Sequence, residues 1–338
     1  MTGAVIITAV SCAEGRLFLD GVGSRVMACA SGCSWPATSA RAVSVPIVEA
    51  PSRASPSMSP ISSDAIVREL LAEAEVYETP CGAGSMVWRR WGQGAPIVLL
   101  HGGSGSWRHW VRNIPVLKEH YELWVADLPG LGDSAMPDAP LTPQTCGQVV
   151  ADGIRRLVPA ARRPRLVCFS FGGHVGTHAA IALGDHLSAM IVSGCSALGL
   201  RKVQLDFPKE RASMSEAERL GVHRRVLEIL MISDPARIDD FAVRLQAENV
   251  GLARFRSRAF ALTDDIKQSL AHVKIPLAAI WGGSDVLAIP NVEAVFDALR
   301  LHHPELVTRV VADAGHWVMF EQADAYNAAL LELLGEVW

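Results

Sequence analysis

Short apolar runs alternate with stretches of helical spacing over most of the chain after about residue 75. Runs of four to six residues between turn residues are typical of strands buried on both faces of a parallel sheet. Alternating strands and helices imply right-handed crossovers, so the pattern predicts an α/β fold: a mostly parallel sheet with flanking helices. The predicted strands cover residues 96–100, 122–126, 166–169, 187–192, 276–281 and 306–311, and an antiparallel hairpin over residues 75–79 and 86–91 precedes them.

Residues 198–272 have a different pattern, charged and of helical spacing, without a strand-like run. Candidate helices cover residues 215–232, 235–249 and 252–260. An all-helical segment between two strands of an α/β core is typical of a cap over an active site. The predicted organisation is therefore a core formed by residues 61–197 and 273–338, with a helical cap formed by residues 198–272.

The first sixty residues are rich in Ala, Ser, Gly and Pro and show no sustained periodicity. This composition favours a disordered N-terminal tail, in which residues 50–60 form a flexible linker. An over-extended translation start is the alternative, with the true start near Met58. Measuring the mass of natively expressed protein distinguishes the two, because a retained Met1 excludes the late start.

Composition and charge exclude several classes of function. The net charge is −4 with no long run of one sign, so neither nucleic acid nor a membrane is a predicted partner. No apolar run reaches the roughly 18 residues of a membrane helix. The seven cysteines are scattered, which indicates reduced thiols in a cytoplasmic protein. Neither a metal-ligand spacing nor a phosphate-binding glycine motif occurs, so no metal and no cofactor are predicted.

Residues 165–173 contain the first candidate for chemistry. Ser170 follows an apolar run directly, and two glycines and a helical stretch follow it. A serine on a tight strand-to-helix turn forms a nucleophile elbow, which needs small residues two positions before and after it. Cys168 takes the first of these places and is predicted to pack beneath the elbow, not to act as a rival nucleophile. By itself the segment is equally compatible with an ordinary strand, turn and helix.

Two further strand ends carry titratable residues. Asp285 follows the strand at 276–281, and His316 follows the strand at 306–311. The carboxyl ends of parallel strands meet at one edge of a sheet, so these side chains are expected near Ser170. Their order along the chain, serine, acid, histidine, is that of a hydrolase triad. His316 would accept the proton of Ser170, and Asp285 would orient the histidine.

A glycine-rich loop at residues 101–107 follows the strand at 96–100. Backbone N–H groups in such a loop stabilise either phosphate or an oxyanion, and the motifs for phosphate binding are absent. The N–H groups of Gly103 and Phe171 are therefore the predicted oxyanion hole. An ordinary glycine turn is the alternative if the loop is considered alone.

From about residue 75 onward the chain resembles the α/β-hydrolase superfamily. The resemblance rests on His101-Gly-Gly, the loop that begins at Asp127, the Ser170 elbow, and the turns with Asp285 and His316. Within the superfamily the chain is most similar to the meta-cleavage-product hydrolases, which cut a C–C bond in vinylogous 1,5-diketones. The resemblance implies a cofactor-free serine hydrolase that acts on a small, partly apolar ester or C–C substrate.

The same resemblance implies four residues that bind the substrate. Arg244 would be the cap arginine that grips a substrate carboxylate, and Ser104, Asn113 and Trp317 would line the site.

The chain departs from the meta-cleavage-product hydrolases beside the nucleophile. Phe169 and Phe171 stand where those hydrolases usually have Asn and Met. The more apolar pocket keeps a carboxylesterase or lactonase without C–C activity as an alternative. A non-catalytic binding protein of the same fold is a third hypothesis. The pattern does not indicate whether the chain forms a homo-oligomer.

Overall fold

The computed structural model describes residues 64–200 and 205–336. The predictions for residues 1–60, including the linker and the start near Met58, lie outside the described residues. No helix in the described ranges is long and apolar enough to cross a membrane.

Eight strands form one sheet in the order β1-β2-β4-β3-β5-β6-β7-β8. The pairs β1/β2 and β2/β4 are antiparallel, and all other neighbours are parallel. The mostly parallel sheet predicted from the apolar runs is thus confirmed. The strands are β1 (Glu75–Cys81), β2 (Gly84–Trp91), β3 (Pro96–Leu100), β4 (Glu122–Ala126), β5 (Arg165–Phe169), β6 (Ala189–Ser193), β7 (Leu277–Gly282) and β8 (Val307–Val311).

Helices cover both faces of the sheet, and this explains the unbroken apolar runs. In β3 the side chains of Val98 and Leu100 enter one apolar core, while Ile97 and Leu99 enter the other. Both faces exclude water, so the middle of a central strand is apolar and polar residues occur only at its ends. The helices are α1 (Ala65–Glu73), α2 (Ile114–Leu117), α3 (Pro143–Leu157), α4 (Phe171–Leu183), α5 (Glu216–Val226), α6 (Asp240–Leu252), α7 (Asp265–Ser269), α8 (Val292–Arg300), α9 (Val318–Glu321) and α10 (Ala323–Glu336).

Between β6 and β7 the described residues form helices and no strand. We call this part, residues 194–276, the helical insertion. It begins its first helix with a capping box, in which Ser215 and Glu218 each accept from the other's backbone N–H. A π-helical turn, Leu227–Met231, continues that helix.

The prediction of a helix over residues 252–260 is wrong. Helix α6 ends at Leu252, and only a 3-10 turn, Ser257–Phe260, follows. The N–H groups of Arg254 and Phe255 donate to Gly130 O at 2.9 and 3.0 Å. These contacts with the core turn the backbone out of a helical path, and local periodicity does not show them.

Candidate active site

Ser170 lies on a strained turn between β5 and α4. Its φ of 50° and ψ of −117° are unusual for a residue with a side chain. The Ser170 N–H donates to Ser193 O of the neighbouring strand at 2.8 Å, which holds the turn in place. Helix α4 starts at Phe171, earlier than the helical stretch in the sequence indicates. A Cβ on Gly172 would lie 2.6 Å from Leu100 O, so a side chain is excluded there.

Cys168 is buried beneath this turn. Its sulfur occupies the space that a side chain on Gly176 of α4 would need. Burial raises the pKa of the thiol well above its normal value, so the reactive thiolate is disfavoured. These observations support a packing role for Cys168.

His316 connects Ser170 to Asp285. The distance from Ser170 Oγ to His316 Nε2 is 3.0 Å, and that from His316 Nδ1 to Asp285 Oδ2 is also 3.0 Å. A carboxylate accepts, so Nδ1 of the neutral ring carries the hydrogen and Nε2 presents its lone pair to the serine hydroxyl. Asp285 Oδ1 accepts from the Leu287 N–H at 2.9 Å, which fixes the carboxylate. This arrangement can remove a proton from Ser170.

The glycine-rich loop lies against the elbow. A Cβ on Gly102 would lie 3.2 Å from Cβ of Ser170, and a Cβ on Gly103 would lie 3.4 Å from Cβ of Phe171. The Phe171 N–H opens α4 and therefore has no acceptor within the helix. Gly103 and Phe171 thus lie close together beside the serine, where the oxyanion hole was predicted.

Two buried histidines hold this loop. His101 Nε2 accepts from the Leu128 N–H at 2.9 Å, so Nδ1 carries the hydrogen and donates to Gly102 O at 2.7 Å. His109 Nδ1 accepts from the Gly102 N–H at 3.2 Å. Burial lowers the pKa of both rings, which keeps them neutral. The position of His109 was not predicted, because no motif marks it.

A cavity of about 340 Å³ opens beside Ser170, and its walls come from both the core and the helical insertion. Most of its deeper lining is apolar or uncharged, and the charged residues Asp206, Lys209 and Arg258 are exposed. The lining includes Ser104, His109, Ser170, Phe171, His174, Val226, Leu230, Met231, Gln246, Ser257, Leu287 and His316. Within residues 64–200 and 205–336, no group of three or more His, Cys, Asp or Glu side chains could hold a metal ion.

Residues 97–329 match the alpha/beta hydrolase family. The chain belongs to the alpha/beta hydrolase family. The predicted fold and the predicted superfamily are thereby confirmed.

Relatives of the hydrolase include esterases and a dienoate hydrolase. A pimeloyl-[acyl-carrier protein] methyl ester esterase of Vibrio cholerae is 26% identical over 260 residues, covering 73% of this chain and 97% of that protein. A 2-hydroxy-6-oxo-6-phenylhexa-2,4-dienoate hydrolase of Burkholderia cepacia is 25% identical over 260 residues, covering 72% and 88%. A putative aryl esterase of Burkholderia cenocepacia has a similar structure, with a TM-score of 0.62 and 22% identity over 77% of this chain and 98% of that one.

Three of the four residues predicted to bind substrate do not line the cavity of the hydrolase. Arg244 Nη2 pairs with Asp64 Oδ1 at 3.0 Å, near the start of α1. Asn113 is buried and donates to Met319 O at 3.0 Å. Trp317 is fully buried and donates from its indole to His109 O at 3.1 Å. Ser104, by contrast, lies in the cavity wall with a φ of 48°.

Gln246 takes the place in the cavity that was predicted for Arg244. Both residues lie on α6, but two positions correspond to more than half a helical turn, so their side chains point in different directions. Only the packing of α6 decides which face meets the cavity. The amide of Gln246 is buried and uncharged, so α6 offers no cation to a substrate carboxylate at this position; the cations of the lining, Lys209 and Arg258, are exposed.

Proposed function

We propose that this hydrolase cleaves carboxylic esters with a small, partly apolar acyl group, using Ser170 as nucleophile and no cofactor. The observation that carries the proposal is the chain of two 3.0 Å contacts from Ser170 through His316 to Asp285, at the wall of a cavity. A serine hydroxyl is too weakly acidic to attack alone, and a neutral histidine oriented by a carboxylate supplies the base.

The mechanism follows from this arrangement. Ser170 Oγ attacks the ester carbonyl carbon while His316 Nε2 takes the hydroxyl proton, and the carbonyl oxygen becomes an oxyanion. The N–H groups of Gly103 and Phe171 stabilise that oxyanion, each by about 3 kcal/mol. The tetrahedral intermediate expels the alcohol, which receives the proton from His316. Water, activated by the same histidine, then releases the acid and regenerates Ser170.

The cavity lining supports an uncharged acyl group. Phe171, Leu230 and Met231 present apolar surface beside Ser170. The ring of Phe171 also packs on Phe255 with centroids 5.4 Å apart, which gives this wall a rigid aromatic backing. A charged group placed against these side chains would lose its hydration without compensation.

Cleavage of a C–C bond is the second candidate, favoured by the relative from Burkholderia cepacia. The arginine that the resemblance implies for the carboxylate of such a substrate, Arg244, instead pairs with Asp64. The names of the Vibrio cholerae and Burkholderia cenocepacia proteins both specify ester substrates. Together these observations favour the ester over the dienoate.

The test replaces the nucleophile. Ser170→Ala is expected to abolish turnover of p-nitrophenyl butyrate, and a fluorophosphonate probe should label Ser170 of the unmodified protein. Ser215→Ala, which removes only the cap of α5, is the matched control and should retain full turnover. An active Ser170→Ala variant would refute the proposal. A folded protein that the probe does not label would instead favour a non-catalytic binding protein. Turnover of a dienoate ring-fission product but of no short ester would favour C–C cleavage.

A further inference from the structure

Glu321 carries a buried carboxylate outside the proposed triad. It ends helix α9 and is 4% exposed. Its Oε2 accepts from the Gly315 N–H at 2.6 Å, immediately before His316. Its Oε1 accepts from the Ser233 hydroxyl at 2.8 Å and from the Asp234 N–H at 2.9 Å, while the Ser233 N–H lies 3.0 Å from both oxygens. We call residues 312–317, between β8 and α9, the histidine loop. One carboxylate thus joins the histidine loop of the core to the helical insertion.

A second contact joins the same two segments on the other side of His316. The Trp317 N–H donates to Met231 O at 2.7 Å. Met231 ends the π-helical turn and lines the cavity. The backbones also approach closely, because a Cβ on Gly315 would lie 2.8 Å from Ser233 N. Both neighbours of His316 are therefore joined to the segment of the insertion that forms a cavity wall, Trp317 directly and Gly315 through Glu321.

We propose that Glu321 is a positioning residue, which sets the distance between His316 and Ser170 by holding the histidine loop against residues 231–234. The inference rests on the proposed function, because it assigns Glu321 a part in the work of His316. A general base is effective only when its lone pair is held close to the hydroxyl it deprotonates. His316 lies on the loop between β8 and α9. Backbone pairing with the neighbouring loop reaches Ala314, whose carbonyl accepts from the Ser284 N–H, so the histidine itself is held by the contacts of Gly315 and Trp317.

The chemistry of a carboxylate suits this position. Four donors, three N–H groups and one hydroxyl, face its two oxygens, and an ionised carboxylate has no hydrogen to place against them. An amide of the same shape has one acceptor oxygen and one NH₂ group. In Glu321→Gln the amide oxygen accepts from most of the donors if it faces Ser233 and Asp234. The NH₂ group then faces the Gly315 N–H, so two donors meet and the Gly315 N–H has no acceptor. This substitution should release the histidine loop while the insertion stays bound.

The experiment compares Glu321→Gln with Glu218→Gln. In both residues a carboxylate accepts from a serine N–H and hydroxyl in the insertion, but Glu218 caps α5 and does not contact the histidine loop. Glu321→Gln is expected to lower kcat for p-nitrophenyl butyrate by about tenfold to a hundredfold with KM within twofold, and to slow fluorophosphonate labelling equally. Hydrogen exchange in the peptide of residues 312–318 should become faster. Glu218→Gln should change none of these quantities.

A second variant covers the case in which Glu321→Gln fails to fold. Gly315→Ala places a methyl group against Ser233 N and should lower kcat in the same way. An unchanged kcat in either folded variant, with Ser170→Ala inactive, overturns this inference alone. An active Ser170→Ala variant overturns the proposed function as well. If Glu321→Gln lowers kcat only in proportion to its loss of folded protein, its role is purely structural and the inference fails.

Discussion

The carboxyl edge of the sheet and the helical insertion both form walls of the cavity, but different interactions hold their side chains in place. At the sheet edge the contacts are between backbones. The Ser170 N–H donates to Ser193 O at 2.8 Å, and the Ser284 N–H donates to Ala314 O at 2.9 Å. The loops that carry Ser170, Asp285 and His316 thus continue the hydrogen bonding of the strands below them.

The insertion is bound to the core largely through side chains. Ser106 donates to Asn249 Oδ1 at 2.7 Å, and Arg108 pairs with Glu248 at 3.0 Å. Glu321 adds the contacts with Ser233 and Asp234. Backbone pairing is available to any sequence that forms the sheet, whereas each of these contacts requires one particular residue. The comparison therefore indicates a rigid catalytic edge and an insertion whose placement depends on a few side chains.

The largest expected effect concerns the catalytic edge. Asp285→Asn should lower kcat for p-nitrophenyl butyrate by about 10⁴-fold, because an amide can stabilise the wrong tautomer of His316. Steady-state kinetics on protein whose thermal midpoint is unchanged measure the effect. Asp313→Asn is the matched control, since Asp313 is exposed and Asn also tolerates its φ of 52°. Equal losses in both variants would contradict a special role for Asp285.

A glycine in each region tests which backbone is more constrained. Gly172→Ala should destabilise the protein by about 3 kcal/mol, because its methyl group would meet the backbone oxygens of Leu100 and His101 at 2.6 and 2.7 Å. Gly221→Ala, in α5 of the insertion, meets nothing within 4 Å and should stabilise by about 0.5–1 kcal/mol. Urea unfolding measures both. A tolerated Gly172→Ala would show that the elbow is less tightly packed than described.

A third effect, smaller than that of Gly172→Ala, is a pH dependence of stability. Burial lowers the pKa of His174 in α4 from 6.5 to about 4. The folded protein therefore binds fewer protons than the unfolded chain in this range, and stability falls as the pH drops from 6.5 towards 4. His174 alone should remove about 2 kcal/mol between pH 7 and pH 5, and His174→Gln should abolish that part of the loss in urea unfolding.

A histidine of the insertion provides the comparison for this pH effect. His223 pairs with Glu210 at 2.7 Å; burial lowers the pKa of this histidine, and the Glu210 carboxylate opposes that lowering. His223→Gln should therefore change the pH dependence less. An equal or larger change would show that the acid sensitivity belongs to the insertion.

Particular residues show where sequence reasoning succeeded and where it failed. The strands that carry Ser170, Asp285 and His316 were located within one or two residues, because unbroken apolar runs and glycine turns are local signals. Arg244 was assigned to the site from the resemblance, but α6 presents Gln246 instead. Local signals do not show how a helix is rotated about its axis against the core.

The sequence by itself determined the order of strands along the chain, the mostly parallel sheet, and the sheet edge at which a serine, an acid and a histidine each follow a strand. The spacing of apolar residues and the residues of a turn are features of neighbouring positions in the chain. The topology of a parallel sheet then brings the ends of distant strands together. Tertiary structure alone decided which side chains line the cavity, what Arg244 and Asn113 contact, and how Glu321 joins two segments almost ninety residues apart. Those contacts depend on packing between elements, and no short stretch of the chain encodes packing.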